Sequence, residues 1–269
     1  MLKLIATDMD GTLLNNKKEM PKTTFDLVNR LHERGTLFAV ASGRQHFSLQ
    51  KLYGEIKDDI IIVAGNGSII INKGEIISVR SLDMSIVKEI IELASVNPDL
   101  RLTLCGLKSD YMFENNVEQV LPSYLVESHF PVRKIIHTID ELPDDEQILQ
   151  IAILDPENNS RANIYEPLKV LSNRCHLAIS GSEWVDIIAL GVNKGVAINE
   201  LQKMLDASYE ETMVFGDELN DIEMMQQAFY SYAMENAVSE IKKVSRFLAP
   251  SNENEGVIKI IENFLAMTS

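Results

Sequence analysis

The stretch LIATDMDGTLL, residues 4–14, decides how the rest of the chain is read. Leu4, Ile5, Ala6 and Thr7 are apolar or small and read as a buried strand. Asp8 and Asp10 follow with one residue between them, and then come Gly11 and Thr12. Burying one carboxylate is costly, and burying two neighbours costs more. A strand that ends in this way needs compensation from elsewhere in the chain.

Outward from this stretch, strands and helices alternate. Pro21 is expected to open a helix whose apolar positions Phe25, Leu27, Val28 and Leu31 have helical spacing, with Gly35 at its end. TLFAVASGR reads as a second buried strand ending at Ser42–Gly43, and a short helix covers about 45–53. DIIIVAGNGSIIINKGEIIS then gives strands separated by turns at Asn66–Gly67 and Asn72–Lys73–Gly74, the last of them leaving the first domain. A βαβαβ order predicts a parallel sheet with covering helices.

The middle of the chain has a different rhythm. A helix is predicted over 84–96 and a second over 115–126 despite Pro122. Strands are predicted at RLTLCG, DYMFE, 132–137, QILQIAILD and CHLAIS, with a helix over 160–172. This is a mixed α/β unit with antiparallel character. From Trp184 the parallel rhythm is expected to return, with WVDIIAL as a core strand, a helix over 194–205, the strand TMVFGD, and alternating elements to about residue 265. The fold class is therefore α/β, a Rossmann-like core of residues 1–82 and 185–269 with a mixed α/β cap inserted at 83–184.

Composition bounds the function. The 269 residues are 45% hydrophobic, enough for a sizeable core. The formal net charge of −15 argues against nucleic acid or an anionic membrane as partner. The two cysteines form no metal or disulfide pattern, and no apolar run is long enough to span a bilayer, so a cytoplasmic protein is expected.

Ligands of open parallel sheets sit beyond the carboxyl ends of the strands. There the sequence places Asp8, Asp10 and Thr12, then Ser42, Gly43 and Arg44, then Lys194 at a helix start, then Asp217, Asn220 and Asp221. A hard divalent cation offsets clustered carboxylates, and Mg2+ commonly takes one or two of them together with a substrate phosphate. Ser42, the Gly43 amide, Asn220 and Lys194 can hold that phosphate. Asp8 is the better placed nucleophile and Asp10 the better acid and base. Gly11 permits the tight path after them, and Thr12 can hold the loop. Arg44 either faces the phosphate or makes an outward ion pair.

These residues resemble the haloacid dehalogenase (HAD) superfamily. DMDGTL looks like its DxDxT signature. Ser42 in VASGR, Lys194 in GVNKG, and Asp217 with Asp221 in FGDELND match its other three motifs in order. The position and size of the insertion resemble the C2-type cap of the Cof-like phosphatases, as do AGNGSII and YAMENA. The resemblance implies that Asp8 attacks phosphorus to form an aspartyl-phosphate while Asp10 protonates the leaving oxygen and then activates water. It implies Mg2+ held by the Asp8 side chain, the Asp10 carbonyl and Asp217, with Asp221 orienting the metal's surroundings. The phosphoryl group would be held by the Met9 amide, Ser42, Gly43, Lys194 and Asn220. The expected activity is hydrolysis of a small phosphometabolite, sugar phosphates first. The rival readings are a phosphosugar mutase of the same superfamily and a non-catalytic phosphometabolite sensor.

Overall fold

The computed structural model describes residues 2–114 and 127–267. The helix predicted over 115–126 lies outside the described residues. The elements form two sheets. The eight-stranded sheet has the order β14-β13-β12-β1-β2-β3-β4-β5. Its strands are β1 (Leu4–Thr7), β2 (Leu37–Ala41), β3 (Ile61–Ala64), β4 (Ile69–Asn72), β5 (Glu75–Val79), β12 (Thr212–Gly216), β13 (Tyr230–Met234) and β14 (Phe247–Ala249). The pairings from β14 through β3 are parallel, and β4 and β5 add an antiparallel edge. GEIIS, within the expected core residues 1–82, forms the edge strand of this sheet.

β1 lies between β2 and β12, so strands from both ends of the chain meet in the sheet's centre. All four of its residues are buried, as the apolar run LIAT requires of a parallel strand covered on both faces. Succession runs one way from β1 to β2 and the other way from β12 to β13. The carboxyl ends of β1, β2 and β12 therefore flank the switch point where open α/β sheets bind ligands. The main helices of this unit are α1 (Thr24–Glu33), α2 (His46–Tyr53), α4 (Lys194–Leu205), α5 (Ile222–Met225), α6 (Ser239–Val244) and α7 (Gly256–Met267). α1 begins three residues after Pro21, which sits in the preceding turn rather than at the first helical position. Gly35, with φ +73°, turns the chain out of α1.

The second sheet has the order β10-β11-β9-β6-β7-β8. Its strands are β6 (Arg101–Gly106), β7 (Asp110–Phe113), β8 (Arg133–Ile136), β9 (Ile148–Leu154), β10 (Cys175–Ile179) and β11 (Trp184–Ala189). All its pairings are antiparallel except β7 with β8. Helix α3 (Met84–Ala94) and the helical segment 161–171 cover one face, where Val87, Ile90, Ile151, Ile153, Leu168, Val185 and Ile187 share a core.

The placement of β11 corrects one expectation. WVDIIAL does not return to the parallel core; it pairs with β9 and β10, and the insertion ends after Ala189 rather than at Trp184. The physical reason is alternation. Val185 and Ile187 face the helix-covered core, while Trp184 and Asp186 point to the opposite face with Gln150 and Ala152 of β9. Gly181, with φ +112°, allows the short turn that folds β11 back onto β10. The opposite face, which carries Gln150, Ala152, Trp184 and Asp186, is turned toward the strand ends of the first sheet.

Candidate active site

Asp8 leaves β1 with its N–H bonded to the Phe215 carbonyl of β12, 3.0 Å away. The chain then doubles back, so that the Met9 carbonyl accepts from the N–H groups of Thr12 (3.2 Å) and Leu14 (2.8 Å). The Met9 side chain is buried in the core. Gly11 sits at φ +87°, and a Cβ there would lie 2.2 Å from Asp217 Oδ2. No other residue type fits both that conformation and that approach. Thr12 Oγ1 donates to Asp217 Oδ1 at 2.7 Å, tying this loop to the one after β12.

Lys194 opens α4, whose cap is Asn193 accepting from the Val196 N–H. The lysine is wholly buried, with Nζ 2.6 Å from Asp8 Oδ1 and 2.7 Å from Asp221 Oδ1. The second Asp221 oxygen accepts from the backbone N–H groups of Asp217 (3.0 Å) and Glu218 (3.2 Å). Oxygens of Asp8, Asp217 and Asp221 all lie within 4.8 Å of one another, and all three residues are buried.

Three carboxylates thus share one ammonium, which leaves the cluster short of positive charge. Burial, together with the neighbouring carboxylates, pushes Asp8 and Asp217 well above the ordinary carboxylate value. Lys194 loses to burial but gains more from Asp221 and Asp8, so it stays charged. Buried, oxygen-only and undercompensated, this donor set fits a hard dication.

The Asp10 carboxylate is turned away from that cluster. It accepts from Arg44 Nε and an Arg44 terminal nitrogen, both at 2.7 Å, and lies 2.8 Å from Lys18 Nζ. Burial opposes its charge, but the bonds and charges of Arg44 and Lys18 outweigh burial and hold the group below the usual carboxylate range. The sequence reading had this carboxyl hold a proton; with both cations in place it is ionised. Arg44 is not an outward surface pair either, because its side chain is only 9% exposed.

A cavity of about 340 Å³ opens between the two sheets. Asp8, Asp10, Ser42, Gly43, Arg44 and Asn220 line its core side. Lys194, Thr12, Asp217 and Asp221 stand outside the lining, behind Asp8. The Ser42 hydroxyl accepts from the Arg44 N–H at 3.1 Å. The other side of the cavity shows what sequence reasoning missed. Asp186, only 4% exposed, accepts from Asn66 (3.0 Å), Gln150 (2.7 Å) and Ser180 (2.5 Å). Asn66 in turn accepts from Asn220 at 2.9 Å. This chain of bonds links the second sheet to the loops after β3 and β12. The one signal in the sequence was the Asn66–Gly67 turn, with Asn66 at φ +54°.

The chain resembles proteins of known structure and name. Residues 5–261 match the model for haloacid dehalogenase-like hydrolases. An Escherichia coli protein named 5-amino-6-(5-phospho-D-ribitylamino)uracil phosphatase is 30% identical, covering 98% of this chain and 96% of that one. A protein of Escherichia fergusonii named HMP-PP phosphatase is 28% identical over 90% of this chain and 87% of its own length. The crystal structure of SMU.1108c from Streptococcus mutans superposes with a TM-score of 0.88 at 30% identity, over 99% of this chain and all of that one. With its four motifs in order and the model matched almost end to end, the chain belongs to the haloacid dehalogenase-like hydrolase family.

Proposed function

We propose that this enzyme is a cytoplasmic, Mg2+-dependent phosphomonoesterase of small phosphometabolites that works through an aspartyl-phosphate on Asp8. The observation that carries this reading is the position of Asp8, lining the cavity while bonded at 2.6 Å to a buried lysine. The names of the relatives, phosphatases of small phosphorylated compounds, support the reaction class. Sugar phosphates remain the first class to test.

In the first step an Asp8 carboxylate oxygen forms a bond to phosphorus and the bond to the leaving oxygen breaks, that oxygen taking a proton from Asp10. In the second, water adds to phosphorus, the Asp8–phosphorus bond breaks, and Asp10 takes the water's proton. Asp8, Asp217 and the Asp10 carbonyl would hold Mg2+, which when bound supplies neutralisation of phosphoryl charge. Lys194 fixes the attacking carboxylate. Ser42, Gly43 and Asn220 line the cavity where the phosphoryl oxygens would lie, and the Met9 amide would join them.

Asp10 must be protonated for the first step, and its clamp explains how. An arriving phosphate dianion competes with Asp10 for Arg44 and Lys18. A carboxylate that loses two cations and gains an anionic neighbour rises in pKa and takes up a proton. Asp10→Asn is then expected to slow esters with poor leaving groups by roughly 10²–10⁴-fold and good ones much less. Equal losses across a leaving-group series would contradict the acid role.

A metal titration gives a second check. Asp8 and Asp217 are raised above the unfolded value of 3.8, so their contribution to stability is complete below about pH 4 and is lost as pH climbs through the raised values. Magnesium binds only the ionised groups. The rise in Tm on adding Mg2+ is therefore expected to grow from about pH 5 to about pH 8. Asp10, shifted downward, is ionised throughout that window and leaves the trend intact. A rise that shrinks with pH would exclude these carboxylates as the ligands.

The function itself is tested by release of inorganic phosphate from p-nitrophenyl phosphate and a panel of sugar phosphates, with Mg2+ and with chelator. Metal-dependent phosphate release is expected. Binding without release would favour the sensor, and return of the phosphoryl group to the sugar would favour the mutase.

A further inference from the structure

Asp186 belongs to the second sheet, yet its carboxylate reaches the strand ends of the first. A Cβ on Gly43 would lie 2.9 Å from Asp186 Oδ2 and 3.1 Å from Asn66 Nδ2. The loop of Ser42 and Gly43 is therefore packed directly against this pair. Asn66 is buried in the turn between β3 and β4 at φ +54°, a conformation that asparagine tolerates better than most residues. Its backbone N–H donates to the Ser42 carbonyl at 2.9 Å, so the residue that meets Asp186 also holds this loop.

The carboxylate dictates which way the neighbouring amides point. An ionised carboxylate accepts hydrogen bonds and donates none. Burial lifts the Asp186 pKa to about 6, so near pH 8 the group is ionised. Asn66 must then turn its NH2 to Asp186 Oδ2, at 3.0 Å, which leaves its Oδ1 facing Asn220. Asn220 must in turn offer its own NH2 to that oxygen, at 2.9 Å. Among the described residues this is the one hydrogen bond of the Asn220 side chain, so its second N–H is left for the cavity that Asn220 lines. Gln150 obeys the same rule. Its Nε2 donates to Asp186 Oδ1 at 2.7 Å, and its Oε1 is buried without a partner among the described residues. With no acceptor at position 186, the Asn66 amide could present either end, and Asn220 would follow it.

We propose that Asp186 and Asn66 are positioning residues for the phosphoryl group: the carboxylate on the second sheet fixes the Asn66 amide, and Asn66 fixes the Asn220 amide with one N–H free to donate to a phosphoryl oxygen. This rests on the phosphomonoesterase reading and adds to it that a residue of the second sheet completes the phosphate site of the first.

The test compares two uncharged substitutions of similar size. Asp186→Asn keeps an oxygen where Oδ2 stands, and Gln150 can turn its unpartnered Oε1 to the new NH2. Asp186→Leu offers no acceptor. The probe is inorganic phosphate, titrated by calorimetry with Mg2+ present near pH 8. Asp186→Leu is expected to bind it roughly 5- to 50-fold more weakly than Asp186→Asn. Asn220→Ala is expected to weaken binding by roughly 10- to 150-fold, the range of one hydrogen bond to a charged group. Combined with Asn220→Ala, the two substitutions at 186 are expected to differ by less than about twofold, because the relay then has nothing to orient. A role confined to docking the two sheets would leave their difference undiminished. Asn66→Gly keeps the positive φ and removes the amide, and it tests the relay a second time: a loss of similar size is expected, again absent when Asn220→Ala is present. Equal phosphate affinity in the two Asp186 variants, a difference that survives Asn220→Ala, or no phosphate binding to the parent would overturn the relay. Phosphate binding that follows the expected pattern, in an enzyme that releases phosphate from no ester, would keep the relay and overturn the hydrolase reading instead.

Discussion

Asp8→Asn is expected to remove turnover altogether, by a factor on the order of 10⁴–10⁶, without unfolding the protein. Asparagine has the shape of aspartate and keeps a carbonyl oxygen for Lys194, 2.6 Å away in the parent. What it loses is the charge and the nucleophilic oxygen. In the metal-free protein that charge is a burden, because burial and the Asp221 carboxylate disfavour it. Stability near pH 8 is therefore expected to be equal to or above that of the parent, while the stabilisation by Mg2+ falls. Calorimetry and phosphate release on the same samples separate the two effects. A variant that retained more than about a hundredth of the parent rate would show that Asp8 is not the attacking group.

The second large effect is on stability. Lys194→Met replaces the wholly buried ammonium by an apolar chain of similar length. Asp8 and Asp221 then face each other without a cation within bonding distance. Removing one partner of a buried ion pair costs about 3–5 kcal/mol, because the charge left behind is uncompensated. For a chain of this size that is a drop in Tm of about ten degrees. The loss should be smaller near pH 5, where orphaned carboxylates can take up protons, and Mg2+ should restore part of it near pH 8. Phosphate release should fall as well, since Lys194 holds the nucleophile. Thermal unfolding against pH, with and without metal, checks each part. A change in Tm of one or two degrees at pH 8 would mean that the lysine carries no such charge balance.

The motif loops were legible because each is local. DMDGT and FGDELND are short runs at strand ends, and the rule that ligands sit at those ends is enough to bring them together. The sheet's switch point follows from the same alternation of strand and helix. What escaped depends on pairing across long separations. WVDIIAL reads as a buried strand in either sheet, and only its partners, β9 and β10, decide between them. Read as a core strand, it gives no role to Asp186 or to Gln150, its partner across the sheet. Lys18 lies eight residues after Asp10 in a loop without a motif, yet it helps decide the charge of Asp10. The bond from Asn220 to Asn66 spans 154 positions and joins two turns that each look sufficient alone.

The central claim is covalent: a phosphoryl group passes from the ester to Asp8 and then to water. The stereochemistry at phosphorus tests it without requiring the intermediate to accumulate. A phosphorothioate ester whose phosphorus is chiral through sulfur, oxygen-16 and oxygen-18 is turned over in water labelled with oxygen-17, and the configuration of the released thiophosphate is read. Two successive in-line displacements predict overall retention. Inversion, the mark of a single attack by water, would contradict the account.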